Sequence, residues 1–248
     1  MIILKTKEEI ETMREGGKLL SAILQELAKM VKPGILDNEI EEACAKLLLQ
    51  NGLKSNFKDY GGFPNVTCIS INDVVVHGIA NGTVLKDGDL LSLDCGAIYK
   101  GYNTDMAISM VVGRPDYEAQ RLCKVAKEAL KLGIRTAVPG NTFGDIGYEI
   151  QKYVEAQGFS VVRDLCGHGI GKELHEDPQI LNYGKRGTGQ VIKKGMVFCI
   201  EPMITNGDWE IKKGSDGFSY RTADGSLASH FEHMVAITDN GPEALTYS

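Results

Sequence analysis

The sequence lacks the features of secreted, membrane-spanning and disulfide-stabilised proteins. Its six cysteines are scattered singly without a Cys-x-x-Cys pair, which is typical of reduced thiols in a cytoplasmic protein. The apolar N-terminus ends at Leu4, too early for a signal peptide, and no span approaches the roughly 20 apolar residues that cross a bilayer. We therefore expect a cytoplasmic location and no membrane partner.

An excess of positive charge is also absent. The chain carries 27 lysines and arginines against 33 acidic residues, a net charge of −6, so we expect no specific nucleic-acid partner. No linker rich in proline, serine or glycine divides the 248 residues. We therefore expect a single domain over residues 1–248. We also expect a monomer.

Two segments with nearly the same pattern lie 107 residues apart, at 84–94 and 191–201. Each has a glycine turn before an apolar strand that ends in a carboxylate, Asp94 in the first and Glu201 in the second. A similar offset relates Pro33-Gly34 to Pro139-Gly140. The pattern predicts a duplicated α/β unit, with halves of about 1–113 and 114–248, whose acids meet at a common centre.

Capping signals and apolar periodicity predict the same order of elements in both halves, two helices followed by strands. The predicted helices run from a Thr6-Lys-Glu-Glu9 capping box to Met30, from a cap at Asp37 or Asn38 to Leu49, and near Tyr117–Ala137 and Thr142–Gln157. The predicted strands are 66–71 and a hairpin of 90–99 and 102–112 that turns at Lys100-Gly101.

Two aspartates lie on one face of this predicted hairpin. Strand alternation places Asp94 and Asp105 among small polar residues, whereas the large apolar side chains occupy the other face. With a turn at Lys100-Gly101 the two acids are diagonal neighbours, and a slipped turn would place them directly opposite. Either aspartate alone is more typical of a turn cap or a lysine partner. Two aspartates on the same face repel each other, so their joint placement favours a cation that bridges them.

Glu201 and Glu232 are further acids in apolar strands, and His168 follows in a glycine-rich turn, Cys166-Gly-His-Gly-Ile-Gly171. Each glutamate could form an ordinary buried salt bridge, but no lysine or arginine lies near it in the sequence. The turn lacks the spacing of a phosphate-binding loop. Together the residues form an oxygen-rich ligand set that suits Mn²⁺, Fe²⁺, Co²⁺ or a Zn²⁺ pair, and four acids suit two ions about 3.5 Å apart.

The other four histidines divide into two groups. His77 follows three valines and His175 stands in Leu-His-Glu-Asp-Pro. A lone histidine on a strand is usually a core residue, but beside a metal pair each becomes a candidate hydrogen-bond donor to a carbonyl or a leaving nitrogen. His230 and His233 flank Glu232, and we assign both to packing or to support of that ligand.

With these residues assembled, the whole chain closely resembles the type I methionine aminopeptidases. The matching elements are Tyr60-Gly-Gly-Phe-Pro64, Cys68-Ile-Ser-Ile-Asn72, His77-Gly-Ile79, Asp94, Asp105, Gly167-His-Gly-Ile-Gly171, His175-Glu-Asp-Pro178, Ile200-Glu-Pro202 and Phe231-Glu-His233. The resemblance implies the α/β pita-bread fold, in which two pseudo-symmetric halves with a curved, mainly antiparallel sheet, covered by helices, surround two divalent metal ions (Co, Mn, Fe or Zn).

The resemblance also implies roles. The metal ligands would be Asp94, Asp105, His168, Glu201 and Glu232, with Asp105 and Glu232 bridging the ions. Glu201 would also be the base that takes a proton from the attacking water. His175 would stabilise the oxyanion, and His77 would contact the scissile amide nitrogen.

The methionine pocket implied by the resemblance has the walls Tyr60, Phe63, Cys68 and Phe218, although these residue types are equally typical of an ordinary core. Phe218 stands where many relatives have Trp, Leu174 where Phe is frequent, and Met234 where Thr is usual.

The predicted activity is removal of N-terminal methionine from nascent polypeptides, preferably before a small second residue, with the ribosome as a further candidate partner. Three alternatives stay open: a pita-bread aminopeptidase of another specificity, a non-catalytic metal-binding scaffold, and a two-metal phosphoesterase. Proline-specific relatives normally add a large N-terminal domain, which we do not expect here. The sequence offers no basic residue in its motifs to bind phosphate.

Overall fold

The computed structural model describes residues 1–114 and 116–247, which form four α-helices, one short 3-10 helix at Tyr60–Gly62 and fifteen strands. The helices are α1 Lys7–Met30, α2 Asp37–Gln50, α3 Tyr117–Thr136 and α4 Phe143–Ala156. The strands are β1 Lys54–Ser55, β2 Thr67–Ile71, β3 Val74–Val76, β4 Leu90–Tyr99, β5 Tyr102–Val111, β6 Ser160–Val161, β7 Gly167–Gly169, β8 Glu176–Ile180, β9 Val197–Ile200, β10 Met203–Thr205, β11 Ile211–Lys213, β12 Tyr220–Thr222, β13 Ala228–His230, β14 Glu232–Thr238 and β15 Gly241–Ala244.

The helix starts follow the predicted capping signals with one exception. At α1 the Glu9 N–H donates to Thr6 Oγ1 at 3.2 Å and the Thr6 N–H donates to Glu9 Oε2 at 2.8 Å, a capping box. The predicted cap of α2 at Asp37 or Asn38 is wrong, because Leu36 is the N-cap. The Asp37 carboxylate instead accepts the backbone N–H groups of residues 81 and 82, which anchors the helix start to the loop before β4.

A curled nine-stranded antiparallel sheet forms the centre of the molecule. Its path is β1-β4-β5-β14-β9-β7-β8, with β2 paired to β4 and β15 to β14. The β4–β5 hairpin turns at Lys100 and Gly101, whose φ values of 48° and 84° are those of a tight I′ turn. The register pairs Asp94 with Ala107 and Gly96 with Asp105, so the two aspartates are diagonal neighbours, as the predicted turn requires.

Each helix pair covers part of the sheet. Helices α1 and α2 bury Leu20, Leu24 and Ile40 against the apolar face of β4, which includes Leu91 and Leu93. Helices α3 and α4 pack in the same way over β9 and β14. Each of these leucine and isoleucine side chains contributes about 1.5–3 kcal/mol by leaving water. The opposite, polar face of β4 and β5 is thereby left for the acidic side chains.

The two halves repeat the same backbone contacts. The Gly34 N–H donates to the Leu85 carbonyl at 2.8 Å, and the Gly140 N–H donates to the Ile192 carbonyl at 3.1 Å. A β-bridge joins residues 36 and 84 in the first half and residues 142 and 191 in the second. The predicted boundary of the repeat near residue 113, and its origin in a duplication, stay predictions.

No helix within the described ranges is both long and apolar enough to cross a membrane.

Candidate metal centre

Three acidic side chains come from three neighbouring strands of the large sheet. Ala107 on β5 is the register partner of Asp94 on β4 and of Glu232 on β14, so these three positions form a row across the sheet. Asp105 precedes Ala107 by two residues and therefore lies on the same face. The methyl group of Ala107 leaves space between its acidic neighbours, and the sheet itself gathers the three carboxylates.

The second half of the chain supplies the two remaining predicted ligands. His168 lies in β7, and Glu201 directly follows β9. All five predicted ligands line one cavity of about 160 Å³. The ligand atoms of Asp94, Asp105 and Glu232 lie within 4.8 Å of one another, and His168 Nε2 is 3.7 Å from Glu201 Oε1. The structure thus brings together every residue that the sequence proposed as a metal ligand.

The electrostatics of these carboxylates indicate what the site can hold. Burial raises the pKa of Asp94 to about 6, and burial together with the neighbouring acids raises the pKa of Asp105, Glu201 and Glu232 well above the usual range. One buried oxygen of Asp94 and one of Glu232 have no hydrogen-bond partner. The lining residues that the structure describes include no lysine or arginine. Divalent cations would satisfy these oxygens, so the residues fit the predicted metal ions.

His168 is held as a neutral metal ligand should be. Its Nδ1 lies 2.9 Å from the Gly169 carbonyl oxygen, which can only accept a hydrogen bond, so Nδ1 carries the proton. Burial lowers the pKa of His168 to about 4, which keeps the ring neutral at physiological pH. The lone pair of Nε2 therefore faces the glutamates, the arrangement by which a backbone carbonyl orients a ligating imidazole.

Two cysteines support the acids without competing for a metal ion. Cys68 on β2 is the register partner of Asp94 on β4, and Cys199 Sγ lies within 4.8 Å of a Glu232 carboxylate oxygen. Burial and the nearby carboxylates raise the pKa of both thiols well above the usual value. Both are therefore neutral thiols rather than thiolate ligands.

His175 lies at the rim of the cavity in the β7–β8 connection. Its Nδ1 is 2.9 Å from the Tyr60 hydroxyl, and its ring centroid is 4.4 Å from that of His168. The Asn103 side-chain amide on β5 donates to the Lys172 carbonyl at 2.8 Å, which ties this connection to the first half of the fold. These contacts fix His175 beside the acids.

His77 follows β3 and lines the same cavity. Its φ of 57° lies in the left-handed region, which costs a non-glycine residue roughly 1–3 kcal/mol. A Cβ on the next residue, Gly78, would lie 2.2 Å from the Ile69 carbonyl oxygen, so the backbone can pass β2 this closely only with glycine there. Burial lowers the pKa of His77 to about 4, so the ring is neutral.

The predicted pocket walls also lie around this cavity. Tyr60, Phe63, Cys68 and Phe218 all line it, and the rings of Phe63 and Phe218 meet edge to face with centroids 5.7 Å apart. The sequence did not identify Phe57 as a wall. No motif marks that residue; it lines the cavity, and its ring lies so close to Gly96 on β4 that a Cβ there would be 2.5 Å from Phe57 Cε1.

The two histidines that flank Glu232 lie in different places. His233 Nδ1 is 2.9 Å from Thr246 Oγ1, on the reverse face of the sheet. The His230 imidazole is 2 % exposed and its Nε2 is 3.5 Å from Glu201 Oε2. The sequence carried a signal for this difference, because residues 230 and 232 alternate to the same side of an extended chain and residue 233 does not.

Comparison with known proteins identifies the family to which the chain belongs. The model of metallopeptidase family M24 matches residues 11–239. The methionine aminopeptidase of Clostridium acetobutylicum is 47% identical over 247 residues, 99% of each chain. The solved methionine aminopeptidase of Thermotoga maritima is 44% identical with a TM-score of 0.98 over 100% of both chains. The prolidase of Pyrococcus furiosus, 26% identical, has a TM-score of 0.79 over 99% of this chain and 66% of its own.

Proposed function

The chain belongs to metallopeptidase family M24, and we propose that it removes the N-terminal methionine from polypeptides by hydrolysis at a pair of divalent metal ions. The family and the class of metallo-aminopeptidase predicted from the sequence are confirmed, as is the pita-bread fold. The observation that carries the proposal is the convergence of Asp94, Asp105, His168, Glu201 and Glu232 on a cavity with aromatic walls.

These five residues would hold the two ions, with Mn²⁺, Fe²⁺, Co²⁺ and Zn²⁺ as the candidates. When bound, such ions polarise the scissile carbonyl and make water a nucleophile at neutral pH.

Glu201 is the residue we assign as general base. Its position is fixed by the Asn182 side-chain amide, which donates to its backbone carbonyl at 2.9 Å. Burial raises the pKa of its carboxylate, so it accepts a proton from water more readily than an exposed glutamate would. The same group then delivers that proton to the departing amine.

His175 and His77 act on the two ends of the scissile amide. With the Tyr60 hydroxyl donating to Nδ1, neutral His175 carries its proton on Nε2 and can donate to the carbonyl oxygen as negative charge develops there. His77, also neutral, can donate to the scissile nitrogen. Neither histidine has to change its charge during turnover.

The apolar side of the cavity suits a methionine side chain. Aromatic rings and the Cys68 sulfur surround it, and thioethers make favourable contacts with aromatic rings. A cavity of about 150 Å³ holds a molecule as large as benzene, so the 160 Å³ here fits one side chain. This supports selection of one apolar first residue, and the preference for a small second residue stays a prediction.

The test is mass spectrometry of Met-Ala-Ser and Met-Leu-Ser peptides incubated with metal-free protein plus Mn²⁺, Fe²⁺, Co²⁺ or Zn²⁺ in turn. We expect loss of one methionine from Met-Ala-Ser and little or none from Met-Leu-Ser, with acetylated Met-Ala-Ser as the uncut control. Metal binding with all peptides intact would instead indicate the non-catalytic scaffold. A Met-Pro dipeptide is included as a further substrate, and cleavage of that dipeptide alone would indicate a prolidase-like specificity.

The cavity lining also bears on the phosphoesterase alternative, since no described lining residue is a lysine or arginine that could bind phosphate. Nascent chains as the natural substrate, contact with the ribosome, the monomeric state and the cytoplasmic location stay predictions.

A further inference from the structure

His230 is a buried imidazole that the mechanism above does not use. It ends β13 with 2 % of its surface exposed, and neither ring nitrogen has a hydrogen-bond partner in the described chain. A side chain that served only to pack would not need two polar atoms in such a place.

The ring lies behind the acids rather than in the cavity. His230 Nε2 is 3.5 Å from Glu201 Oε2 and 3.9 Å from Glu232 Oε2, yet His230 is not among the residues that line the cavity. His168 contacts the other oxygen, Oε1, of the same two glutamates. The glutamates are therefore held between two imidazoles, one inside the cavity and one outside it.

The backbone of His230 is anchored by hydrogen bonds, which fixes the point from which its ring extends toward the glutamates. Ser109 Oγ accepts the His230 N–H at 3.0 Å and donates to the His230 carbonyl at 2.8 Å. Ser109 Oγ is also 2.7 Å from Ser92 Oγ on the neighbouring strand. This chain of hydroxyl groups anchors the residue to the hairpin that carries Asp94 and Asp105.

We infer that His230 is a positioning residue whose Nε2–H donates a hydrogen bond to Glu201 and so sets the direction of the general base. The inference rests on the function proposed above. The two carboxylate oxygens are the acceptors near the ring, which places the single proton of the neutral imidazole on Nε2. Hydrogen bonds of this kind are often long in the unliganded protein and tighten in the substrate complex.

The test compares three substitutions at position 230. In His230→Gln the side-chain amide can reach the place of Nε2, whereas in His230→Asn it reaches only the place of Nδ1, and His230→Leu has no donor. We expect His230→Gln to keep kcat within about threefold of the unsubstituted protein, and the other two to lose about 10–100-fold in kcat with little change in KM, the usual effect of losing a partner of a metal-site ligand. The paired Asn and Gln variants keep a polar group, so the comparison does not depend on whether the leucine variant folds.

A control and a second measurement separate the outcomes. His233→Gln, on the other side of Glu232, should match the unsubstituted protein. His230, Glu201 and Glu232 also have ligand atoms within 4.8 Å of one another, so a metal role for His230 is the alternative to exclude. Titration with Co²⁺ should give the same number of bound ions in all variants, because the inference gives His230 no metal ion to hold. Equal kcat in the Asn and Gln variants, or loss of one Co²⁺ from either, would overturn the inference. If the unsubstituted protein neither binds Co²⁺ nor cleaves Met-Ala-Ser, the proposed function itself is wrong.

Discussion

Replacing Asp94 by Asn should stabilise the metal-free protein at neutral pH. Burial raises the pKa of Asp94 from 3.8 to about 6, so at pH 7.5 the folded protein must hold a buried carboxylate that is easier to ionise in the unfolded chain. One pKa unit corresponds to about 1.4 kcal/mol, so ionisation of Asp94 destabilises the folded state by about 3 kcal/mol. The neutral amide of Asn carries no such cost.

The sign depends on pH. A carboxyl group whose pKa is raised in the folded protein binds more protons there than in the unfolded chain, so its contribution to stability falls as pH rises from about 4 to about 6. The difference between Asp94→Asn and the unsubstituted protein should therefore be small at pH 4 and reach its full size above pH 7. Histidines with lowered pKa values have the opposite pH dependence and are present in both proteins; His230 is the one whose pKa the Asp94 charge raises, so it is the one that the substitution alters.

The assay is thermal unfolding followed by circular dichroism in the presence of a chelator. For a chain of this size about 3 kcal/mol corresponds to roughly 6–12 °C in Tm. Asp164→Asn, at an exposed position, is the matched control and should stay within about 0.5 kcal/mol. With saturating Co²⁺ the unsubstituted protein should be the more stable of the two, because the Asp94→Asn variant lacks one carboxylate ligand of the metal ions. A metal-free Asp94→Asn protein that is less stable than the unsubstituted protein at pH 7.5 would refute the reasoning.

Three further predictions concern turnover. Glu201→Gln removes the base without changing volume and should lower kcat on Met-Ala-Ser by at least about 100-fold; near-normal turnover would rule out Glu201 as the base. His77→Ala should lower kcat while Co²⁺ binding, measured by calorimetry, stays largely intact, and loss of a bound ion would show a different role. Tyr60→Phe removes the donor to His175 Nδ1 and should lower kcat about tenfold, as expected for a single orienting hydrogen bond; an unchanged kcat would mean that the tautomer of His175 is set by another contact.

Much of the fold could be predicted because local signals agreed with the tertiary structure. The capping box at Thr6 starts α1, and the Lys100-Gly101 turn fixes the register that places Asp94 and Asp105 on one face. The start of α2 was missed because Asp37, an ordinary N-cap residue, binds backbone groups of a distant loop instead. Propensity cannot show that a carboxylate has a partner 44 residues away.

The sequence was sufficient to predict that the five ligand residues come together, but not which contacts surround them. Acids that end apolar strands without a basic neighbour indicated a cation site, since burial of a lone carboxylate is costly. The hydrogen bond from Tyr60 to His175, the thiols beside the acids and the place of His230 depend on how the halves pack together. Such contacts between distant segments have no periodic signature.

The most direct test of the central claim is anomalous diffraction at the cobalt edge from crystals grown with excess Co²⁺. We predict two anomalous peaks about 3.5 Å apart, both within reach of Asp105 and Glu232, as expected for a two-metal site. No peak in the cavity, or a single peak at saturating Co²⁺, would contradict the account.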